Sequence, residues 1–549
     1  MLAALLVAGS HSGPALASHG TPPSAAAAQH LVDTLLDGPH FIRGGRGVAP
    51  WTGVGYWQEA NLDETFANYL LAPQGARRLP AASTAGNRTE AQRRAEVVAA
   101  MQRSFFTYTA ERLISGAAYS ASNTSYDDLL WFALAYLRAH ELCVAQPETF
   151  PCAVPLPEPT QQPCTCIPCG STSPHNFSGP GSHCSPATST CGAGARSAGS
   201  CYTPCAADCD CTALTCVVEA PSQRTATLLE QGKKIFDFMY NESWNEDYCE
   251  GGFAWALKAQ NYKNCVTNQQ GVLVAAKLAR LLGKDVVCDC KAGTSYSNIA
   301  LHTSSWLFGA RMRNATNGLY NDGLRGPNPG HPNTLPCSND NGTIWSYCQG
   351  LPLGVAVELH RLRGEQHYLD DALAITAAIQ TTLVSPGRWP AAPTTAVGPT
   401  AIDQEVGPVL YEIGCATDPM CEWVYPPLPL PPWSGQPACK CDNNAMIFKG
   451  IVSRYLGYLQ SYLAELSTTN GGAARSSGSM SSQQQGRLGA ARQDISSFLH
   501  NNSRSVLANN QAERTGGFGV FWQGPVFGAI EFNSGNLNQA VLDLLTAVM

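Results

Sequence analysis

Charge is scarce in this chain. Only 14% of its 549 residues are Asp, Glu, Lys or Arg, and the net charge is −7. No basic run exists, so nucleic-acid binding has no electrostatic footing. Apolar runs are equally short, and none approaches the ~20 residues of a membrane-spanning helix. Strand patterns are few. The metal signature H-E-x-x-H, the G-x-S-x-G elbow and the glycine patterns of Rossmann and P-loop folds are all missing. The sequence therefore gives no reason to expect a bound metal or cofactor.

Cysteine, glycine and proline are abundant, at 22, 51 and 37 residues. An even, high cysteine count points to disulfides and an oxidising compartment. N-x-S/T sequons at Asn87, Asn123, Asn176, Asn241, Asn314, Asn341 and Asn501 point the same way. The first residues, "MLAALLVAGSHSGPALASHG", offer a short apolar region and a small-residue "ALA" before Ser18, but no positive n-region. Residues 1–17 are thus read as a signal peptide and the product as secreted or cell-wall located. A monomer is expected.

Helical periodicity dominates the rest. Candidate helices include "EAQRRAEVVAAMQRSFFTYTAERLI", "DDLLWFALAYLRAHEL", "RTATLLEQGKKIFDFMYNE", "NQQGVLVAAKLARLLG", "GLPLGVAVELHRLRG", "YLDDALAITAAIQTTLV", "NAMIFKGIVSRYLGYLQSYLAEL" and "NQAVLDLLTAV". "LLWFALAYL" is apolar on every side and must be buried all round, whereas "EAQRRAEVVAAMQR" has a polar face. Such a mixture predicts two concentric helix layers. "LARLLGK" at Leu278 echoes "LHRLRGE" at Leu359, as in an array of helix hairpins. Residues 18–549 are expected to form one domain with three insertions. These are a Cys-rich excursion at 144–218, a Pro-rich loop at 386–441 and a Ser/Gly/Gln-rich loop at 467–493. Eleven cysteines lie between Cys152 and Cys216, and Cys143 completes an even set. Disulfides suit that spacing better than zinc, since no clean pair of C-x-x-C knuckles occurs.

The chemistry-bearing feature is Asp127–Asp128, at the start of the all-round apolar helix. Ser125 followed by Asp128 approximates a capping box, and acids suit a helix N-terminus. Against that local reading stands the cost of placing two carboxylates at the mouth of a buried helix. Adjacent like charges hold one carboxyl protonated while the other is ionised. Retaining glycoside hydrolysis uses that asymmetry: one carboxylate attacks the anomeric carbon, and the other donates and then removes a proton.

These residues carry a family resemblance. "YDDLLWFALAYLRAHEL", "GGFAW" (251–255), "YKNCVTN" (262–268), "WSYCQG" (345–350), "FKGIVSRYL" (448–456) and "FWQGP" (521–525) follow in the order seen in glycoside hydrolase family 76, the endo-α-1,6-mannanases and related fungal cell-wall proteins. The resemblance implies an (α/α)6 toroid with a central cleft, Asp127 as nucleophile, Asp128 as acid/base, and a mannose-containing glycan as partner. Two departures bear on sugar specificity. Cys348 stands where the family usually shows Asn, and "CDNNAMIFKG" lacks the usual "DQ"-like pair. Trp57, Trp255, Trp345 and Trp522 are candidate sugar platforms. Asn268, Gln270, Tyr347 and Gln349 are candidate partners for sugar hydroxyls, with core packing and helix capping as their alternatives. Lys449 either orients a carboxylate or lays its stem along apolar surface. Two other functions fit the same features: a transglycosidase joining glycoprotein glycans to cell-wall polymer, and a non-catalytic glycan-binding matrix protein.

Overall fold

The structure is a computed structural model. It describes residues 23–37, 56–72, 88–115, 125–156, 207–210, 215–218, 225–326, 337–339, 344–384, 408–410, 412, 445, 447–469, 481–509 and 535–549. Thirteen helices appear among them. They are α1 (Pro23–Asp37), α2 (Tyr56–Leu71), α3 (Glu90–Thr107), α4 (Ala110–Ile114), α5 (Tyr126–Ala145), α6 (Leu228–Ser243) and α7 (Cys265–Leu282). After them come α8 (Tyr296–Gly309), α9 (Tyr347–Arg363), α10 (Gln366–Thr382), α11 (Phe448–Thr469), α12 (Ser482–Asn509) and α13 (Gly535–Val548).

Six helices form a closed inner ring. α2 packs on α5, α5 on α7, α7 on α9, α9 on α11, α11 on α13, and α13 returns to α2. α3, α6, α8, α10, α12 and α1 back them from outside, so the first and last helices share a pair. This is the expected (α/α)6 toroid. Burial follows the two layers. Every residue of α5 from Leu129 to Leu137 is buried, while α3 buries only a stripe that includes Val97, Met101 and Phe105. Each large apolar side chain so buried contributes about 1.5–3 kcal/mol before entropy is counted. Small residues let the ring helices approach closely. A Cβ on Gly450 would lie 2.4 Å from the Cα of Ala540.

The ring is latched where chain ends meet. Arg454 on α11 binds Glu64 on α2 at 2.7 Å and Asp543 on α13 at 2.8 Å, and also bonds Asn61 and Thr65. The C-terminal halves of the inner helices, including Glu64, Arg138, Lys277, Arg361, Tyr458 and Asp543, line a basin of about 1190 Å³. Its charges are mutually paired: Arg280 bridges Glu141 and Glu358, and Lys277 binds Glu141 at 2.9 Å. The basin lies at the opposite end of α5 from Asp127. A helix of 20 residues spans about 30 Å.

Short strands shape the connections. β1 (Ala153–Pro155) pairs antiparallel with β4 (Thr225–Thr227), and β2 (Ala207–Asp210) with β3 (Thr215–Val218). β5 (Tyr262–Asn264), β6 (Gly323–Arg325) and β7 (Ser338–Asn339) form a three-stranded sheet. The Cys-rich excursion leaves and returns through the β1/β4 pair, closed at its root by Cys143–Cys152. Its root therefore lies at the basin end, away from the aspartates.

Three details differ from the sequence expectations. α1, α2 and α8 had not been singled out. The helix expected from Glu90 to Ile114 breaks at Tyr108, where Thr109 caps α4 and accepts from the Arg112 N–H. The Ser/Gly/Gln-rich stretch turns helical at Ser482 rather than staying a loop to Gln493. A reciprocal Ser481–Gln484 capping box starts it. The end helices 278–284 and 359–365 do match: α7 and α9 both stop at glycines of positive φ, Gly283 and Gly364.

Candidate active site

Ser125 occupies the N-cap position of α5 with extended backbone, yet its side chain makes no capping bond. The capping box expected there does not form. Thr89–Gln92 and Thr227–Glu230 do form reciprocal boxes on α3 and α6. At α5 a backbone carbonyl takes over: the Tyr126 N–H donates to the Trp255 oxygen at 2.7 Å. Asp127 and Asp128 are thus not drawn into the reciprocal box at this helix start.

Both aspartates are half-buried. Oδ1 of Asp127 is buried without a hydrogen-bond partner among the described residues. Burial pushes the Asp127 carboxyl well above the usual carboxylate range, and the charges of Asp128 and Asp322 push it further. Its own backbone N–H and the Trp255 indole N–H pull it part-way back. Two such carboxyls share a proton, so that one is ionised while the other is protonated.

Asp322 is a third carboxylate that the sequence reading missed. It precedes β6 and accepts from the Tyr262 hydroxyl at 2.6 Å. Its only sequence signal is an acid followed by glycine, which reads as a turn. Tyr347, at the first turn of α9, has its phenol pushed well up by burial and by Asp322, Asp127 and Glu412. Glu412 is also new. It is buried and accepts from the Ser346 backbone N–H at 3.1 Å and from the Ser346 hydroxyl. Its charge partly offsets the burial that lowers Lys449 to about 7. Lys449 is buried rather than lying along the surface.

The aromatic candidates divide. Trp255 is 38% exposed beside Asp127, with its ring edge-on to Tyr262. Trp57 stacks on Trp131, one turn beyond Asp128, at 6.3 Å between centroids. Trp345 and Tyr347 both pack on Phe448. Trp522 lies outside the described residues.

The amide candidates divide more sharply. Asn268 bonds the Phe253 N–H and carbonyl and the Asn264 carbonyl. Gln349 bonds the Tyr320 N–H and carbonyl and the Trp345 carbonyl. Both amides are spent on backbone, which corrects the expectation that they face sugar hydroxyls. Gln270 remains a candidate, because neither amide atom has a partner among the described residues although the side chain is fully buried.

Cys348 joins Cys265, tying the starts of α9 and α7. Cys249 pairs with Cys337 and Cys288 with Cys290. Sulfurs of Cys265 and Cys348 lie within 4.8 Å of an Asp322 oxygen, as do those of Cys143 and Cys152 of His140, but all four are consumed in disulfides. Neither cluster offers a thiolate to a metal.

Known structures share this architecture. The Dfg5 protein of Chaetomium thermophilum, solved with glucosamine, superposes with a TM-score of 0.56 over 96% of this chain and 90% of that one, at 13% identity. An α-1,6-mannanase from Salegentibacter sp. HEL1_6 gives 0.52 over 96% and 98%, at 14% identity. At such identities the likeness is one of fold. Among curated proteins, the mannan endo-1,6-alpha-mannosidase DCW1 of Candida albicans is 25% identical over 242 residues, which is 43% of this chain and 41% of that protein. Less than half the length of that relative is thus spanned. The family model for glycosyl hydrolase family 76 matches residues 210–489, just over half the chain, beginning downstream of the aspartate pair. On that match and the ring fold, the chain belongs to glycosyl hydrolase family 76.

Proposed function

We propose that the protein is a secreted retaining glycoside hydrolase acting on α-1,6-linked mannose in a glycan chain. One observation carries the reading. Asp127 and Asp128 sit side by side and half-buried at the start of an inner helix of the toroid, with the proton affinity of Asp127 raised by burial and by its neighbour. The relatives support the substrate class. An inactive Salegentibacter mannanase, with two consecutive aspartates replaced, was solved with α-1,6-mannotetrose. The disulfides fit an oxidising route. No described helix is long and apolar enough to cross a membrane.

In the first step, ionised Asp127 attacks the anomeric carbon while Asp128 gives its proton to the departing glycosidic oxygen. The C–O bond breaks as a glycosyl ester forms on Asp127. In the second step, Asp128 takes a proton from water, whose oxygen displaces Asp127 at the same carbon. The proton the pair shares stands on Asp128 when Asp127 attacks.

Asp127→Asn and Asp128→Asn should each lower kcat on an α-1,6-manno-oligosaccharide by about 10³-fold or more. Both should melt within a few degrees of the native protein. Full activity in either variant refutes the reading and favours the glycan-binding alternative. An activated leaving group separates the roles, since it restores glycosylation in the acid/base variant only. Restoration in Asp127→Asn would exchange the two assignments. Product analysis with an added acceptor glycan then decides between hydrolysis and transfer: free reducing ends alone exclude a transglycosidase.

A further inference from the structure

Lys263 is fully buried and, among the described residues, forms no ion pair. An ammonium in the interior without a contacting carboxylate is expensive, so its retention asks for a reason. Its Nζ donates to the Gly252 carbonyl at 2.8 Å, to Asn245 Oδ1 at 2.9 Å and to the Asn245 carbonyl at 3.4 Å. All three acceptors are neutral. Burial drags the amine down to about 7, with the more distant Asp247 raising and Lys291 lowering it.

These oxygens belong to one loop, between α6 and β5, that carries Trp255. The loop is held in an unusual backbone shape. Cys249 and Glu250 have φ of 61° and 57°, and Gly251 and Gly252 have 134° and 94°. A Cβ on Gly252 would fall 2.4 Å from the Trp306 ring, so the backbone can lie flat there only as glycine. Beyond Gly252, Asn268 grips Phe253 on both sides, and the Trp255 N–H donates to the Tyr262 carbonyl at 2.9 Å. The Trp255 carbonyl caps α5 through Tyr126, one residue before Asp127.

β5 therefore has a separate task at each residue. Tyr262 bonds Asp322, Lys263 clasps the loop, and Asn264 caps α7 through the Thr267 N–H. We propose that Lys263 is a positioning residue for the aspartate pair: by clasping Gly252 and Asn245 it fixes the loop whose Trp255 carbonyl holds the start of α5, and with it the place of the Trp255 side chain beside Asp127. This deepens the glycosidase reading above and rests on it. The indole N–H favours the ionised form of Asp127, the form that attacks. The groups opposing that ionisation are Asp128 on the same helix and Asp322 from the β5/β6 sheet, with the Tyr347 phenol facing the cluster from α9.

The test uses the full chain and an α-1,6-manno-oligosaccharide, with kcat/KM followed against pH for the native protein, K263M, W255F and the double variant. Methionine fills the space of the lysine stem and removes the buried charge, so K263M should fold. W255F removes the indole donor and should raise the acidic limb of the profile by about one pH unit, as expected for a hydrogen bond to a charged group. K263M should move the limb in the same direction by up to that amount. The double variant should match W255F, because the lysine acts through the tryptophan. A K263M limb that stays put while only the melting temperature changes overturns the proposal. So does a double-variant shift equal to the sum of the singles, or a K263M crystal structure with Trp255 unmoved beside Asp127. Full activity of Asp127→Asn would instead remove the glycosidase reading, and the positioning role with it.

Discussion

Replacing Arg454 by methionine tests how the toroid is closed. The guanidinium is 4% exposed and faces Glu64 and Asp543, whose side chains are 6% and 0% exposed. Its partners come from helices near opposite ends of the chain: Asn61, Glu64 and Thr65 on α2 and Asp543 on α13. Truncation leaves two buried acids without their cation. Breaking a buried pair in this way costs about 3–5 kcal/mol. Unfolding entropy of about 2.1 cal/mol/K per residue gives about 1.2 kcal/mol/K for a chain of this size, so the melting temperature should fall about 3–4 °C. The deficit should depend on pH. Asp543 already has its carboxyl raised by burial against the pull of Arg454, and losing the cation raises it further. A folded-state pKa above the unfolded one makes the deficit large at neutral pH and smaller as pH falls and the carboxyl is protonated. Adding Asp543→Asn to the methionine variant should recover part of the loss. Thermal unfolding followed by circular dichroism at pH 7 and pH 5 reads the native protein and both variants. A melting temperature within 1 °C of native at pH 7, or an equal deficit at both pH values, would refute the idea that this triad latches the ring.

Three further outcomes follow from the geometry. Glu59, fully buried on α2, is held at about 8 by burial, against the pull of Tyr108, Ser104 and Arg103. Its folded pKa lies above the unfolded one, so stability should decline between about pH 4.5 and 8, by at most ~5 kcal/mol, and Glu59→Gln should flatten that slope in a series of melting curves. Ser125→Ala should leave stability unchanged, since that side chain caps nothing, whereas Thr227→Ala should cost about 1 kcal/mol in denaturant titrations. Asn268→Ala should destabilise by about 1–3 kcal/mol through the unpaired Phe253 groups, and a loss of sugar affinity without any loss of stability would contradict its structural assignment.

Much of the fold was legible because helical periodicity is local. The two layers followed from comparing α5, apolar on every face, with α3, apolar on one. The aspartate pair stood out because a charged doublet at the start of a buried helix has a cost that a surface helix would not impose. The matched helix ends at Gly283 and Gly364 were also readable from spacing, whereas the Cys143–Cys152 pairing was not. α2 was not, because "YWQEANLDETFANYLL" carries buried acids where periodicity asks for apolar residues. Those acids find partners on other helices: Ser104 with Asp63, and Arg454 with Glu64.

By itself, then, the sequence determined the two helix layers, the oxidising cysteine count and the carboxylate doublet, from composition and from residues a few positions apart. Tertiary structure alone decided what surrounds that doublet. Asp322 reaches Asp127 from 195 positions downstream, a separation no local period records. Asn268 and Gln349 look like sugar ligands in a linear reading, yet their amides are claimed by backbone groups that only the folded loops bring near. The cap expected from Ser125 is supplied instead by the Trp255 carbonyl. In each case the deciding contact is a hydrogen bond or a charge between elements far apart in the chain. Its energy depends on burial and distance, which exist only once the ring has closed.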